Sequence, residues 1–590
     1  VAALPTQTTE SFPAYDPRRF SRLATAVVLL CAVLPYLGTL HYQFAYDDDT
    51  QVLDNPVIGS WRFLPAYFTK PVAGFFHGVH AARYYRPLFF VWLRLNYAAW
   101  GTHSVGWHVT NLVLHAAASL LALAILRRYF AHLRWAVAGA ALFAVHPAHV
   151  ETVAWVSGCT DSLMAVSLFG SLLLWMRGEE SQSRAARAIS LLCYALALLS
   201  KETAVVLPIL IFLHALLGVS TRCGVNGGKY VYALRSAMPY VPVTAIFLTV
   251  RHFVLRGVPT GAMWVWPSHA LLTIPSLLLF YARHLLWPVN LTLFYDLPIV
   301  SSAASAAFLI PVLTLGILCV ALCFAFYRRC DSRGLLAGAW FFLPLAPLLY
   351  IAEFQRDDFV HDRYLYLPVL ALSILLGCMC EWLERSAISR QLPRLPVLVP
   401  AALITLFALL TVVEARPWEN DLTLYLNAVR VSPKHPLARN NLAREYEQIG
   451  RFNDAEALLA GLVQERPDLW LANYNYGYVN YRLGKFPAAE SYLQRAVQID
   501  PREPDQHLYL GATYLKQGRL GMAETQLRTA IASNPEGAGY HYTLGVIYWQ
   551  QGRLAAAQEE LALELQYHPE NAGVRAQLEA LKTSMGQSLH

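Results

Sequence analysis

The sequence predicts an all-α chain in two parts: a polytopic membrane region over 1–414 and a solenoid of helical repeats over 415–590. Three observations carry this. Only 14% of residues are charged and 56% are hydrophobic, against about 25% charged in an ordinary soluble domain. The shortage is uneven: apolar runs follow one another from about 24 to 413, and charged residues and Gln dominate beyond 414. In that second part, Pro, Gly, Ala and Leu recur at a fixed step.

Crossing the hydrocarbon of a bilayer takes about 20 apolar residues. Candidate spans lie near 23–40, 107–126, 135–149, 162–176, 187–200, 202–218, 236–255, 269–287, 303–327, 336–352, 364–384 and 395–413. The first has no small-residue cleavage site after it and reads as a retained anchor. Basic flanks set the orientation. "DPRRFSR", "RRYFAHLR", "RGEESQSRAAR", "YRRCDSRG" and "ERSAISRQLPR" read as cytoplasmic. The N-terminus is then cytoplasmic, and the segment after the first span lies outside, together with the repeats. That arrangement needs an odd count, so eleven of the twelve runs are expected to cross. Either 269–287 lies in the outer interface, which keeps Arg222, Lys229 and Arg235 inside, or 187–218 is one broken span, which keeps Arg251 and Arg256 inside; the first is preferred. The net charge of +7 reads as this inside-positive bias, and no nucleic-acid partner is expected. The nine Cys fall mostly in apolar runs, so no disulfide framework is read from them. Aromatic residues, 13% of the chain, suit membrane interfaces and sugar-stacking surfaces alike.

The repeat step is 34 residues. It holds for Pro433, Pro467, Pro501, Pro535 and Pro569, for Gly450, Gly484, Gly518 and Gly552, and for Ala455, Ala489, Ala523 and Ala557. Leu459, Leu493, Leu527 and Leu561 keep it too, as do Gly477, Gly511 and Gly545. This is the tetratricopeptide pattern of paired antiparallel helices with small residues where they touch. A half-repeat, "NDLTLYLNAVRVSP", precedes the array, and a polar helix from about Asn571 caps it. Such arrays bind partners in a concave groove, where Asn440, Asn441, Asn473 and Asn475 either bond a peptide backbone or are helix-surface residues.

Polar residues gather in the segments read as external. "FAYDDDTQVLDNPVI" carries Asp47, Asp48, Asp49 and Asp54. "RYYRPLFF" carries Arg86. "HPAHVETVAWVSGCTD" carries His146, His149, Glu151 and Asp161. "LLSKETAVVLP" carries Lys201 and Glu202, and "FVHDRYLYLP" carries His361, Asp362, Arg363 and Tyr364. Charges at or within a membrane are expensive and mark functional sites. Arg86, Lys201 and Arg363 suit a clamp on a phosphate. Glu202 points away from its neighbour Lys201 in a helical backbone, so a lipid phosphate is the better expected partner for that ammonium. Asp47 or Asp48 suits proton removal, with Asp48 favoured; in an extended segment Asp47 and Asp49 share one face and Asp48 takes the other. His146 and His149 lack the H-E-x-x-H spacing of a zinc site. His108, Asn111 and His115 share one helical face and read either as functional or as helix packing.

Taken in order, "FAYDDDTQVLDNP", "RPL" at 86–88, "WHVTNLVLH", "HPAHVETVAWVSGCTD", "LLSKET", "DRYLYLP" and "RPWENDLTLY" resemble the transmembrane and tetratricopeptide repeat-containing O-mannosyltransferases and their bacterial relatives. The resemblance covers nearly the whole chain. It implies a GT-C-like membrane fold and inverting transfer of a sugar such as mannose. The donor would be a polyprenyl- or dolichyl-phosphate carrier, and the acceptor a hydroxyl of a protein held by the repeats. It places the catalytic acid in the first external loop, on Asp47, Asp48 or Asp49. Donor phosphate would meet Arg86, Lys201 and Arg363. Substrate would meet His146, His149, Glu151, Asp161, Glu202, His361 and Tyr364. No cofactor beyond the lipid-linked sugar is implied with certainty, and a divalent cation is left open. The location implied is a bacterial inner membrane or the endoplasmic reticulum. The chain departs from its relatives at Asp362-Arg363, where Glu-Arg is frequent, and at Cys159-Thr160, where Gly-Arg is common. A non-enzymatic scaffold and a transporter of lipid-linked sugars are the alternatives.

Overall fold

A computed structural model of the chain describes residues 22–75, 84–218, 228–256, 265–327, 331–354 and 356–587. Arg222 and most of the "DPRRFSR" flank, both used above for orientation, lie outside these. The described residues form helices and no β-strand. They fall into two compact units, Val1–Val431 and Ser432–His590. The division comes after the half-repeat helix Asp421–Val431, beyond the change in composition at 414.

In the first unit all twelve expected apolar runs are helical. Among the described residues, seven helices have the length and hydropathy to cross a membrane: Arg22–His41, Ser104–Leu126, Ser157–Glu180, Lys229–Val254, Pro267–Leu286, Ala306–Tyr327 and Leu395–Glu419. The pair Leu133–Val145 and Pro147–Ala154 is an eighth if its 49° bend is counted within one span. The runs at 187–200, 202–218, 336–352 and 364–384 form shorter helices. Pro267–Leu286 spans 20 residues, so its length gives no reason to lay it in the interface. The protein is an integral membrane protein.

Local chemistry explains the breaks. His146 precedes Pro147, and a residue before Pro is pushed out of the helical region; its φ/ψ of −70°/125° ends the helix, and its Nδ1 accepts from the Ala148 N–H at 3.2 Å. Lys201, extended at −156°/134°, separates Arg184–Ser200 from Glu202–Val206. Small residues allow close helix crossings: a Cβ on Gly139 would stand 2.8 Å from the Ser373 carbonyl oxygen. Helix Ala306–Tyr327 shows the opposite character. Ile310, Leu313, Ile317, Val320 and Phe324 are all exposed and only Pro311 is buried, as on a lipid-facing helix.

The second unit carries the 34-residue step into atomic contacts. Gly450, Gly484, Gly518 and Gly552 end the first helix of each pair at φ +78°, +75°, +76° and +76°, a left-handed turn that Gly adopts freely. The other column marks close packing: a Cβ on Gly477 would stand 2.7 Å from Leu493 Cγ. Asn473, His507, His541 and Arg575 each donate to the carbonyl of the Pro six residues earlier, closing the turn between repeats. Glu456–Lys485, Glu490–Arg519 and Glu524–Arg553 form a periodic ion-pair ladder. Asn475 Nδ2 donates to Asn440 Oδ1 at 2.9 Å. Asn440, Asn473 and Asn475 thus each make a hydrogen bond within the array.

Candidate active site

The acidic stretch is a turn and not an extended segment. The first helical stretch ends at His41. Tyr46 takes φ 61°, a left-handed conformation uncommon for a residue with a Cβ. Its N–H donates to Asp421 Oδ1 at 2.6 Å. A π-turn, Asp49–Leu53, follows.

The three acids differ. Asp48 is buried, with 1% exposure. Its Oδ1 accepts from the Ser157 N–H at 2.9 Å and the Ser157 hydroxyl at 2.6 Å, and its Oδ2 accepts from the Ala45 N–H at 3.2 Å. Burial pushes this carboxyl up to about 7, even though its hydrogen bonds pull the other way. With both oxygens accepting hydrogen bonds, Asp48 clasps the turn to 157, and Asp47 is the less enclosed of the two acids expected to act as base. Asp47 is half-buried and accepts from Gln51 Nε2 at 3.3 Å. Asp49 is half-buried, and Asp54 is exposed beyond the turn.

The three cations expected to clamp a phosphate each meet a carboxylate of the chain itself. Arg86 bonds Glu202 with two nitrogens, Nε at 3.1 Å and Nη2 at 2.7 Å. Lys201 Nζ reaches both oxygens of Asp161, at 2.7 and 2.6 Å. Arg363 Nη1 donates to Glu151 Oε1 at 2.7 Å, and its backbone N–H to Oε2 at 3.0 Å. The expectation that Lys201 waits for a lipid phosphate is thereby corrected: its partner is Asp161, and Glu202 serves Arg86. The pairs differ in access. Lys201–Asp161 is closed off at 2% and 4% exposure, whereas Arg86 and Arg363 keep 16% and 17%.

Aromatic rings join two of the pairs to the turn. The Lys201 ammonium lies 5.0 Å from the Tyr364 ring centre, and the Arg363 guanidinium lies 5.6 Å from it. Arg363 also lies 5.2 Å from the Trp155 ring, which packs against Tyr46 at 5.4 Å. His361 stands between Glu151, at 3.4 Å, and Asp358, at 3.3 Å. Asp362 turns away and accepts from the Tyr295 hydroxyl. A cavity of about 10 Å³, the size of one water, lies beside Asp161, Lys201, Thr203 and Tyr364.

His146 and His149 bond backbone carbonyls rather than the paired charges. His146 bonds the Leu285 carbonyl at 2.9 Å and His149 the Tyr366 carbonyl at 3.2 Å, both without exposure. Each thus ties two segments of the membrane unit together. Asn111 Nδ2 donates to the carbonyls of Trp155 and Val156, and His115 bonds Ala144 and the Tyr366 hydroxyl, so that face also packs. Among the described residues, no three His, Cys, Asp and Glu side chains form a group that would hold a metal ion. The sequence reading passed over Ser157, Trp155, Asp358 and Asp421. Trp155 and Ser157 lie within "HPAHVETVAWVSGCTD" and Asp421 within "RPWENDLTLY", but no role was read from them.

A family model described as the cilia and flagella-associated protein 70 middle TPR-like domain matches residues 440–568. Among solved structures, a thermophilic TPR protein of Thermus thermophilus is 26% identical, covering 30% of this chain and 95% of its own, with a TM-score of 0.25. MamA is 23% identical, covering 26% of this chain and 89% of its own, at 0.24. "Protein O-mannosyl-transferase F38B6.6" of Caenorhabditis elegans is 26% identical over 438 residues, 73% of this chain and 61% of its own length. Human "Protein O-mannosyl-transferase TMTC1" is 24% identical over 488 residues, 73% of this chain and 54% of its own. The chain thus matches little more than half the length of these relatives. With the fold, the acidic turn and the repeats in place, the chain is similar over most of its length to the transmembrane and tetratricopeptide repeat-containing protein O-mannosyltransferases.

Proposed function

We propose that the protein is an inverting membrane glycosyltransferase of the GT-C class. It moves a sugar, mannose by the names of its relatives, from a polyprenyl-phosphate carrier to a hydroxyl of a protein acceptor. One observation carries this reading: an acidic turn joined through Tyr46 and Trp155 to the Arg363–Glu151 pair, whose guanidinium shares the Tyr364 ring with the Lys201–Asp161 pair. Asp47, flanked by the clasped Asp48, takes the proton from the acceptor hydroxyl. The hydroxyl oxygen attacks the anomeric carbon as the bond from that carbon to the phosphate oxygen breaks on the opposite face. The lipid phosphate leaves as the dianion, neutralised by the more accessible Arg86 and Arg363. Lys201, buried with Asp161, holds the floor of the site. The repeats hold the acceptor, and both they and the acidic turn face the extracytoplasmic side.

Purified protein in vesicles, given polyprenyl-phosphate sugars and a Ser/Thr-containing peptide, tests this directly. Transfer is expected, and Asp47→Asn is expected to cut turnover about 100-fold or more with donor binding retained. No transfer from any lipid-phosphate sugar, with normal peptide capture by the repeats, returns the protein to the scaffold reading. Cysteines placed at Thr50 and Ser533 are expected to react with an impermeant reagent from one side; labelling from opposite sides overturns the external acceptor groove.

A further inference from the structure

The acidic turn is held from two directions. On one side Asp48 bonds Ser157 and Ala45. On the other, the segment that ends the last membrane helix reaches back to it. Gln43 N–H donates to the Glu419 carbonyl at 2.9 Å, and Tyr46 N–H to Asp421 Oδ1 at 2.6 Å. This second side is itself fixed. Buried Trp418 stacks on Trp155 at 6.1 Å and 21°. Glu414 accepts from the Asn290 and Leu291 N–H groups at 2.9 Å each, and Asn427 Nδ2 donates to the Leu291 carbonyl at 2.9 Å. Asp421 therefore sits on an anchored helix start, not on a free loop.

The residue it grips is one of four described non-glycine residues with a positive φ. A left-handed Tyr persists only where its surroundings hold it. The contact to the Tyr46 N–H is a charge-assisted hydrogen bond, shorter and stronger than a neutral one. Asp47 follows directly, so the direction of its carboxylate is set by the conformation at 46.

We propose that Asp421 is a positioning residue for the acidic turn: its carboxylate holds the left-handed Tyr46 and so aims Asp47 at the acceptor hydroxyl. The aim, though not the grip, rests on the reading of Asp47 as the base. Asp421 touches no reacting atom; it acts through Tyr46. Its loss lowers turnover and leaves donor affinity alone, because Arg86, Lys201 and Arg363 are held by other carboxylates.

Hydrogen exchange in vesicle-embedded protein reads the grip without any assay of transfer. In Asp421→Ala, exchange over 43–50 is expected to quicken at least about tenfold, with the rest of the unit unchanged. In the transfer assay, Asp421→Ala is expected to lower kcat about 10- to 100-fold, since a displacement of an ångström is worth that much, with donor Kd within twofold. Asp421→Asn, which keeps a side-chain carbonyl, is expected to stay within about fivefold. In a Tyr46→Gly background, where the left-handed turn carries no penalty, the effect of Asp421→Ala is expected to shrink. Unchanged exchange over 43–50 overturns the grip. Faster exchange with normal kcat overturns the aim, provided Asp47→Asn is inactive. If Asp47→Asn is itself active, the reading of the base fails and the grip stands. Quickened exchange throughout the unit makes Asp421 merely structural and overturns the proposal.

Discussion

The membrane unit and the repeat unit both use ion pairs, in opposite ways. In the repeat ladder, Glu456–Lys485, Glu490–Arg519 and Glu524–Arg553 each join residues 29 apart, are partly exposed and recur at the repeat step. At the candidate site of the membrane unit the paired residues are 40, 116 and 212 apart, and the deepest pair is almost wholly closed off. A half-exposed pair in water contributes about 0–1 kcal/mol. A buried one is costly to break, because the surviving charge has no water to turn to. The first kind decorates a fold that packing already determines; the second ties distant segments into one site.

Breaking the deepest membrane pair should show the largest effect. Asp161→Asn leaves the Lys201 ammonium buried and short of its partner, and is expected to destabilise the first unit by about 3–5 kcal/mol. Thermal unfolding in detergent checks this. The double variant Asp161→Leu with Lys201→Met should recover most of that stability, since neither charge remains. Recovery absent in the double variant would mean that the pair does more than neutralise itself.

The acidic turn should answer to pH. Asp48 ionises near 7 when folded and in the ordinary carboxylate range, near 3.8, when unfolded. Between those values the folded state binds more protons, so stability is greatest below the unfolded value and falls as pH rises toward 7, by up to about 1.4 kcal/mol per unit. Melting of the first unit should therefore drop between about pH 5 and 7, and the slope should flatten in Asp48→Asn. A flat wild-type profile would place Asp48 in a wetter setting.

The repeats should respond to packing more than to charge. Gly477→Ala sets a Cβ 2.7 Å from Leu493 Cγ and 3.1 Å from the Leu493 nitrogen. Overpacking costs about 1–3 kcal/mol, and Ala in place of Gly in a helix returns about 1. A net loss of up to about 2 kcal/mol is expected, read by denaturant unfolding. Glu490→Gln, which cuts the pair with Arg519, should change stability by less than about 1 kcal/mol, and less still in high salt. A larger effect for Glu490→Gln than for Gly477→Ala would invert the contrast between the units.

That contrast also separates what could be read from the chain from what could not. The repeat period, the helical character of every apolar run and the gathering of charges in a few segments are patterns of near neighbours. Helix periodicity, Gly turns and span length depend on residues within a turn or a repeat of one another, so the sequence displays them directly. The candidate site residues were found for the same reason, since a charge beside an apolar run is conspicuous wherever it pairs.

The sequence by itself thus determined an all-helical membrane chain followed by a tetratricopeptide array, and which acids and bases were out of place. Only the tertiary structure decided their partners: Asp161 for Lys201, Glu202 for Arg86, Glu151 for Arg363 and, 375 residues away, Asp421 for the Tyr46 N–H. It also turned Asp48 inward and sent His146 and His149 into helix packing. The physical reason is range. Pairing in a buried site is fixed by which helices pack together, and helix packing is set by the shape of whole faces, which no local window of sequence contains.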